Sequence, residues 1–314
     1  SSSGNAIYNF VSAQSGNTEL QKKGTGYHGS GSERTAYLLC MLWMKYATKN
    51  SQKVFQGCTG FNIQTKVVQT GENVNYVVIP TAQANSFYVG TTVSIGDATG
   101  HTDNLDRGQA YMRNIADKVK ITAIEAISGT DNSRVYVGKQ NMTITEDTYI
   151  SSMPLHAGQT DKVLGVDGYV KNDGKHAFKL GGIEDMVGVY YISMNELWNK
   201  TTATTVDYYV RGTAAWSSTA TNWTKIATVD LETTDDFWIG DIDIDLSTGV
   251  IWFKSKASGD SVGVGDRQYN GGDGTGWREA LRRGRLGLGS SAGFSCAVLW
   301  DGVANALWYC ALCV

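Results

Sequence analysis

Proline and charge are both scarce in this chain: 2 prolines in 314 residues, and charged residues at 18%. With a net charge of -3 there is no electrostatic case for nucleic acid or an anionic membrane surface as partner. No run of about 18 apolar residues occurs, so no membrane-spanning helix is expected. The four histidines, His28, His101, His156 and His176, are too far apart for H-x-x-x-H or H-E-x-x-H spacing. Five cysteines (Cys40, Cys58, Cys296, Cys310 and Cys313) are an odd number and sit mostly in apolar runs. They read as buried free thiols rather than as a disulfide framework.

What the chain has in quantity is glycine, 37 residues, together with 16 tyrosines and 9 tryptophans. Such a composition favours many short strands joined by tight turns, and Trp and Tyr offer large contact area at little entropic cost. Residues 1–25 read as an extended lead-in. Ser32 is a candidate N-cap and Glu33 sets a carboxylate in the first turn of a helix running to about Lys49. That segment is apolar almost all round, so burial on most of its faces is expected. Between 61 and 148 the pattern changes to short β-branched runs at Val67-Val68, 76–79, 87–89, 93–95, 119–127, 135–137 and 142–144. These predict an inserted β-rich module, a barrel or sandwich. Strands are expected at 189–194, at 208–210 and over 237–246, where Ile239, Ile242 and Ile244 contrast with Asp241, Asp243 and Asp245. Residues 255–276 read as a Gly/Ser/Asp-rich loop.

Two stretches outside the terminal region could carry chemistry. Asp241, Asp243 and Asp245 supply the oxygen ligands calcium prefers, but no Asp-x-Asp-x-Asp-Gly loop follows, and like charges along one strand face are ordinarily solvated. The glycines around Asp273 precede an expected helix, where a phosphate could sit on backbone amides. No Lys-Ser/Thr pair follows them, and a turn is the simpler reading.

The C-terminal stretch, 276–314, has a different organisation. A short amphipathic helix is expected over 277–283, ending at Gly284. Small residues follow (Gly287, Gly289, Ser290, Ser291, Ala292, Gly293), then apolar runs at 294–300 and 304–314. Small residues alternate with large ones of mixed character, as on a surface populated by changeable side chains over a fixed backbone. Trp277, Arg278, Leu281, Arg283, Gly284, Gly289, Ala292, Gly293, Ala304, Asn305 and Ala306 follow the order found in a known family. The stretch resembles the variable region of proteins diversified by retroelements. The 178–188 stretch is similar to a "G-I-E-D-M-x-G" element of the same fold, and 27–58 resembles a helix of phage-encoded members.

The resemblance implies an α+β chain with a C-type lectin fold, related to the formylglycine-generating enzymes. That domain would comprise 26–60 and 149–314, interrupted by the module over 61–148. It places diversified, ligand-binding positions at Arg285, Leu286, Leu288, Ser290, Ser291 and Val298, and further at Trp300, Asp301, Leu307, Trp308 and Tyr309. The implied role is receptor binding rather than catalysis, with no cofactor, toward a protein or glycan receptor on a bacterial cell surface. A phage tail is the implied location, with the bacterial surface second. Several copies, as in a trimer, would raise weak affinity through avidity. Pro80 and Pro154 lie outside any Glu-Pro-Asn or Gln-Pro-Asp loop, which speaks against calcium-dependent glycan binding. Two other readings remain: a copper-dependent oxidase of the formylglycine-generating type, using Cys310 and Cys313, and a non-diversified structural virion protein. The two cysteines are separated by two residues where the enzymes have four, and packing is the simpler account of them.

Overall fold

The computed structural model describes residues 12–24, 27, 29, 32–153, 174–176, 178–185, 187–188, 191–231, 234–272, 274–307 and 310–312. These form a β-rich α+β chain divided into two compact units, one of 61–153 and one of 12–60 with 174–312. Part of the expected extended lead-in is helical instead. Helix α1 (Ala13–Gln21) starts at Ser12, whose side chain accepts from Ser15 N at 3.1 Å. The helix expected from Ser32 is α2 (Ser32–Tyr46). It is not buried on most faces. Leu38, Leu39 and Leu42 are fully buried, whereas Tyr37 and Met44 are exposed. Only the face turned to the sheet packs, and Tyr, Cys and Met occupy the other.

The 61–153 unit is a six-stranded sheet. In chain order its elements are β1 (Gln64–Lys66), β2 (Gly71–Val74), β3 (Tyr76–Pro80), helix α3 (Thr81–Ala84), β4 (Thr92–Asp97), β5 (Ala116–Ala126), β6 (Asn132–Val137), β7 (Met142–Ile144) and β8 (Thr148–Met153). Strands pair antiparallel in the order β1-β8-β4-β5-β6-β3, with β2 and β7 forming a separate ladder. Val68 N donates to Val78 O at 2.9 Å, and Gln69 bridges Val78. The residues after β1 therefore meet the opposite edge strand β3, and the sheet curls toward closure, which removes free edges. Because β8 pairs with both β1 and β4, the unit reaches past residue 148. The expected strand at 87–89 is absent: Phe87 is buried, but it follows α3 in a turn.

In the second unit β9 (Phe178–Leu180) and β10 (Ile183–Asp185) make a hairpin. The large sheet contains β11 (Tyr191–Lys200), β12 (Thr205–Val210), β13 (Thr224–Asp230), β14 (Phe237–Ile244), β15 (Ile251–Ala257), β16 (Arg267–Tyr269), β17 (Gly276–Arg283), β18 (Gly293–Val298) and β19 (Cys310–Leu312). Their order is β13-β12-β11-β17-β18-β16-β14-β15. Strand β19 runs parallel to β11 over Tyr191–Ser193, beside the half of β11 that β12 does not pair. In β14 the aspartates do not alternate strictly with the isoleucines. Irregularities around Asp241 reset the register, so that Ile239 and Ile242, three residues apart, are both buried.

The expected helix over 277–283 is strand β17, at the middle of this sheet. Trp277 and Leu281 have helical spacing, but β11 and β18 flank the segment, and its inner half is buried on both faces. Glu279 and Leu281 point to one face, Ala280 and Arg282 to the other. Arg282 is buried and donates from Nε to Glu196 Oε1 at 2.9 Å and from Nη2 to Ile251 O at 2.7 Å. Its guanidinium lies 4.9 Å from the ring centre of Trp198, which in turn sits 4.6 Å from Tyr208. Burial pushes the Tyr208 phenol far up. Nearby, buried Lys200 donates to Asn270 O at 2.8 Å and Gly272 O at 2.5 Å.

Removing one member of a buried ion pair leaves the other uncompensated. Arg282→Met is therefore expected to cost about 3–5 kcal/mol, and Arg282→Met combined with Glu196→Met to recover a large part of that loss. Urea unfolding of both variants checks this.

Candidate functional site

Strand β17 leaves the sheet through two consecutive left-handed residues, Arg283 at φ +80 and Gly284 at φ +76. Such a conformation is costly for arginine. Its side chain offsets the strain by donating to Phe294 O at 2.8 Å and to Thr35 Oγ1 at 3.0 Å, with its guanidinium 5.0 Å from the Phe294 ring centre. A Cβ at Gly284 would come within 2.5 Å of Ala292 Cβ, so the turn closes tightly on the segment that follows. Gly287 N then donates to Thr59 O at 2.8 Å, and Gly289–Ser291 forms one 3-10 turn.

Strand β18 begins where Gly293 meets Asp266. A Cβ there would lie 1.9 Å from Asp266 Oδ1, so only glycine leaves room for the carboxylate. Asp266 is fully buried and accepts from Ser295 N at 2.7 Å and Ser51 Oγ at 3.2 Å. Burial pushes its pKa up from the ordinary 3.8 to about 7, against the Ser295 and Ser51 hydrogen bonds and the charge of Arg283.

Over this support lies a half-exposed aromatic surface. Its floor is the cluster Tyr269, Leu281, Cys296, Val298 and Cys310, with Leu288 and Leu307 packed on it partly buried. Trp300, 49% exposed, meets Tyr269 edge to face at 5.0 Å. A Cβ on Gly271 would lie 2.7 Å from Trp300 Cδ1, so the indole is held between a ring and a bare backbone. Burial raises the Tyr269 phenol pKa, opposed by the nearby Ser291 hydroxyl. The Arg267 guanidinium lies 5.3 Å from the Tyr269 ring centre and 5.4 Å from that of Trp238, its cross-strand neighbour. A ladder Trp238–Arg267–Tyr269–Trp300 results.

Among the expected binding positions, Leu288, Ser291, Trp300 and Leu307 gather around Tyr269 and this cluster. Ser290 is exposed on the 3-10 turn, and Arg285 is half-buried. Asp301 accepts from Asn305 Nδ2 at 2.6 Å, and its carbonyl accepts from Glu279 N at 3.2 Å, which ties the 301–305 turn to β17. Leu286 and Val298 are fully buried, a correction: they are core residues, and strand or turn geometry turns them inward. Trp308 and Tyr309 lie outside the described residues. Sequence reasoning missed Tyr269, Arg267 and Trp238. The first two fall in a segment read as loop, because a three-residue strand between glycine-rich turns has no periodic signal.

Several groups capable of reaction near this surface are buried or paired. Glu279 is buried, its Oε2 accepts from Ala13 N at 3.2 Å, and burial holds its carboxyl well above the ordinary range, the neighbouring Asp301 charge adding to the rise. Burial pushes the Cys296 and Cys310 thiols far up, which suppresses the reactive thiolate. Cys313 lies outside the described residues. Asp241 pairs with Lys49 at 2.8 Å, Asp243 with Lys254 at 3.7 Å, and Asp245 accepts from Ser247 Oγ at 2.6 Å, so the three are used separately. Among the described residues, no three His, Cys, Asp or Glu side chains converge as metal ligands. The chain matches no protein-family model and no curated protein.

Two measurements test this geometry. A carboxyl whose pKa rises on folding contributes stability that is full below the unfolded pKa and lost as pH rises through the folded one. For Asp266 that window runs from 3.8 to about 7. Asp266→Asn is expected to flatten the stability–pH curve there, by at most about 4 kcal/mol. In thermal denaturation, Leu286→Ala should cost about 2–5 kcal/mol as a core truncation, and Trp300→Ala about 1 kcal/mol or less.

Proposed function

We propose that the surface around Trp300 is the ligand-binding face of a C-type-lectin-like protein diversified by a retroelement. Its role is receptor recognition, with host attachment from a phage tail first and a bacterial surface protein second. A protein or glycan receptor on a bacterial cell is the partner, and no catalysis is assigned. The observation that carries the reading is the convergence of Leu288, Ser291, Trp300 and Leu307, four of the positions the family resemblance implies, on one cluster with Tyr269. A half-exposed indole backed by a second ring is the kind of anchor that dominates binding energy at interfaces. Beneath it, the buried Asp266, Arg282 and Arg283 side chains hold the backbone from behind, so the outward residues can change without the frame changing. The β-rich unit with α2 packed on its sheet accords with the lectin-type reading. The oxidase reading loses support because Cys310 is buried with its thiol pKa raised.

Deep sequencing of the coding region for 276–314 across the natural population tests the proposal. Substitutions are expected to concentrate at Arg285, Leu288, Ser290, Ser291, Trp300, Asp301 and Leu307. Gly284, Gly289, Gly293 and Asn305 stay fixed, and Leu286 and Val298 stay apolar because they are core. A segment as uniform as the rest of the gene would sink the diversified-binder reading.

A further inference from the structure

The connection between β12 and β13 builds a second concave surface that the Trp300 face does not use. Gln14, Thr18 and Gln21 follow one side of α1 at steps of four and three residues, the spacing that aligns side chains on a helix. Across a groove of about 510 Å³ stand Trp216, Ser217, Ser218, Thr221 and Asn222. That volume lies within the range of small-molecule sites.

The chemistry of this lining is selective by what it omits. None of the described residues that line the groove is charged, and the Arg211 guanidinium beside Gln21 is already engaged by Gln21 and by Ala214 O. Among the described lining residues a single indole forms the large apolar wall, too little for a lipid or for the apolar side chains of a peptide. What it presents is a set of hydroxyls and carboxamides, groups that both donate and accept, arranged around a single ring. A pyranose matches both halves of that description, with hydroxyls around its rim and a C–H face that lies on an indole.

The walls are held before any ligand arrives, which lowers the ordering cost of binding. Ser217 Oγ accepts from Thr221 N at 2.9 Å and from Thr219 N at 3.3 Å. Trp223 Nε1 donates to Ala215 O at 3.0 Å, and Ala220 and Asn222 are both left-handed, at φ 52 and 62. Trp216 packs against the cluster of Leu197, Ala220 and Trp223, so its ring does not swing freely. On the helix side, the Glu279 carboxyl accepts from Ala13 N and fixes the start of α1. Gln21, with its amide oxygen toward the loop, accepts from Arg211 Nη2 at 2.7 Å and Trp216 N at 3.3 Å, which directs its nitrogen elsewhere.

We infer that this groove binds a neutral oligosaccharide, with Trp216 as the stacking platform and Gln14, Thr18 and Asn222 as hydrogen-bonding contacts. The site is independent of the Trp300 face. Saturation-transfer NMR of the full chain with tetrasaccharides of glucose, mannose, galactose and N-acetylglucosamine tests it, with a neutral Gly-Ser peptide alongside. At least one tetrasaccharide is expected to bind, and Thr18→Arg and Trp216→Ala each to weaken it at least tenfold. Thr18 is exposed on α1, so that variant keeps the fold, checked by circular dichroism, even where loss of Trp216 perturbs packing. Trp300→Ala should leave binding unchanged. The proposal is overturned if no tetrasaccharide binds, if Thr18→Arg binds as well as the unmodified chain, if only the peptide binds, or if Trp300→Ala abolishes binding.

Discussion

Burying Arg282 against Glu196 at the centre of the large sheet constrains everything around it. Two charges taken from water must be compensated closely, and the compensation here comes from three directions: a carboxylate on β11, a carbonyl on β15 and an indole face. Two of these partners lie in β11 and the third in β15, so the buried Arg282 ties β17 to both strands in one mutual arrangement. A purely apolar contact would tolerate small slips of register, whereas a guanidinium with directional donors does not. The neighbouring arginine extends the same logic, since Arg283 turns through a left-handed conformation to reach Phe294 and Thr35. The price of these polar contacts in stability is a frame with little freedom to rearrange.

That rigidity has a counterpart at the surface. Trp300 projects from a segment whose backbone is fixed by Asp266 below Gly293 and by Asp301 bonding Asn305. The rings of Trp300 and Tyr269 meet edge to face, each bracing the other. An aromatic surface supported in this way presents its area at little entropic cost. The uncharged groove beside α1 follows the same plan, with a tryptophan seated on a small cluster and polar groups around it.

Legibility from sequence followed whether a residue's partner was local. Helix α2 was readable from its cap and its long apolar segment, and strands β3 to β7 from short β-branched runs between turn residues. Strand β17 was not. Its Glu279, Arg282 and Arg283 look like the polar side of a surface helix, and they become core residues only through partners far along the chain, Ala13, Glu196 and Thr35. Leu286 and Val298 were misplaced for a related reason. The order of small and large residues marks a changeable segment, but it does not say which large side chains turn inward. Leu288, Ser291, Trp300 and Leu307 could be chosen because the family resemblance implies changeable positions there. Tyr269, the ring on which Trp300 rests, comes from a strand too short to have a period.

The wiring of the sheet also orders events during synthesis. Strand β17 has β18 on one side and the much earlier β11 on the other, and β19 completes β11 from residues 310–312. Non-local pairings of this kind close slowly, because a long loop must be ordered first. The sheet therefore lacks its centre until residue 298 has left the ribosome. Strand β11 waits meanwhile with an unpaired flank, which is an aggregation hazard in any nascent chain. The 61–153 unit faces no such delay, since its strands all pair within one continuous segment. A chaperone that shields β11 during this interval would raise the yield of folded protein without touching its final stability.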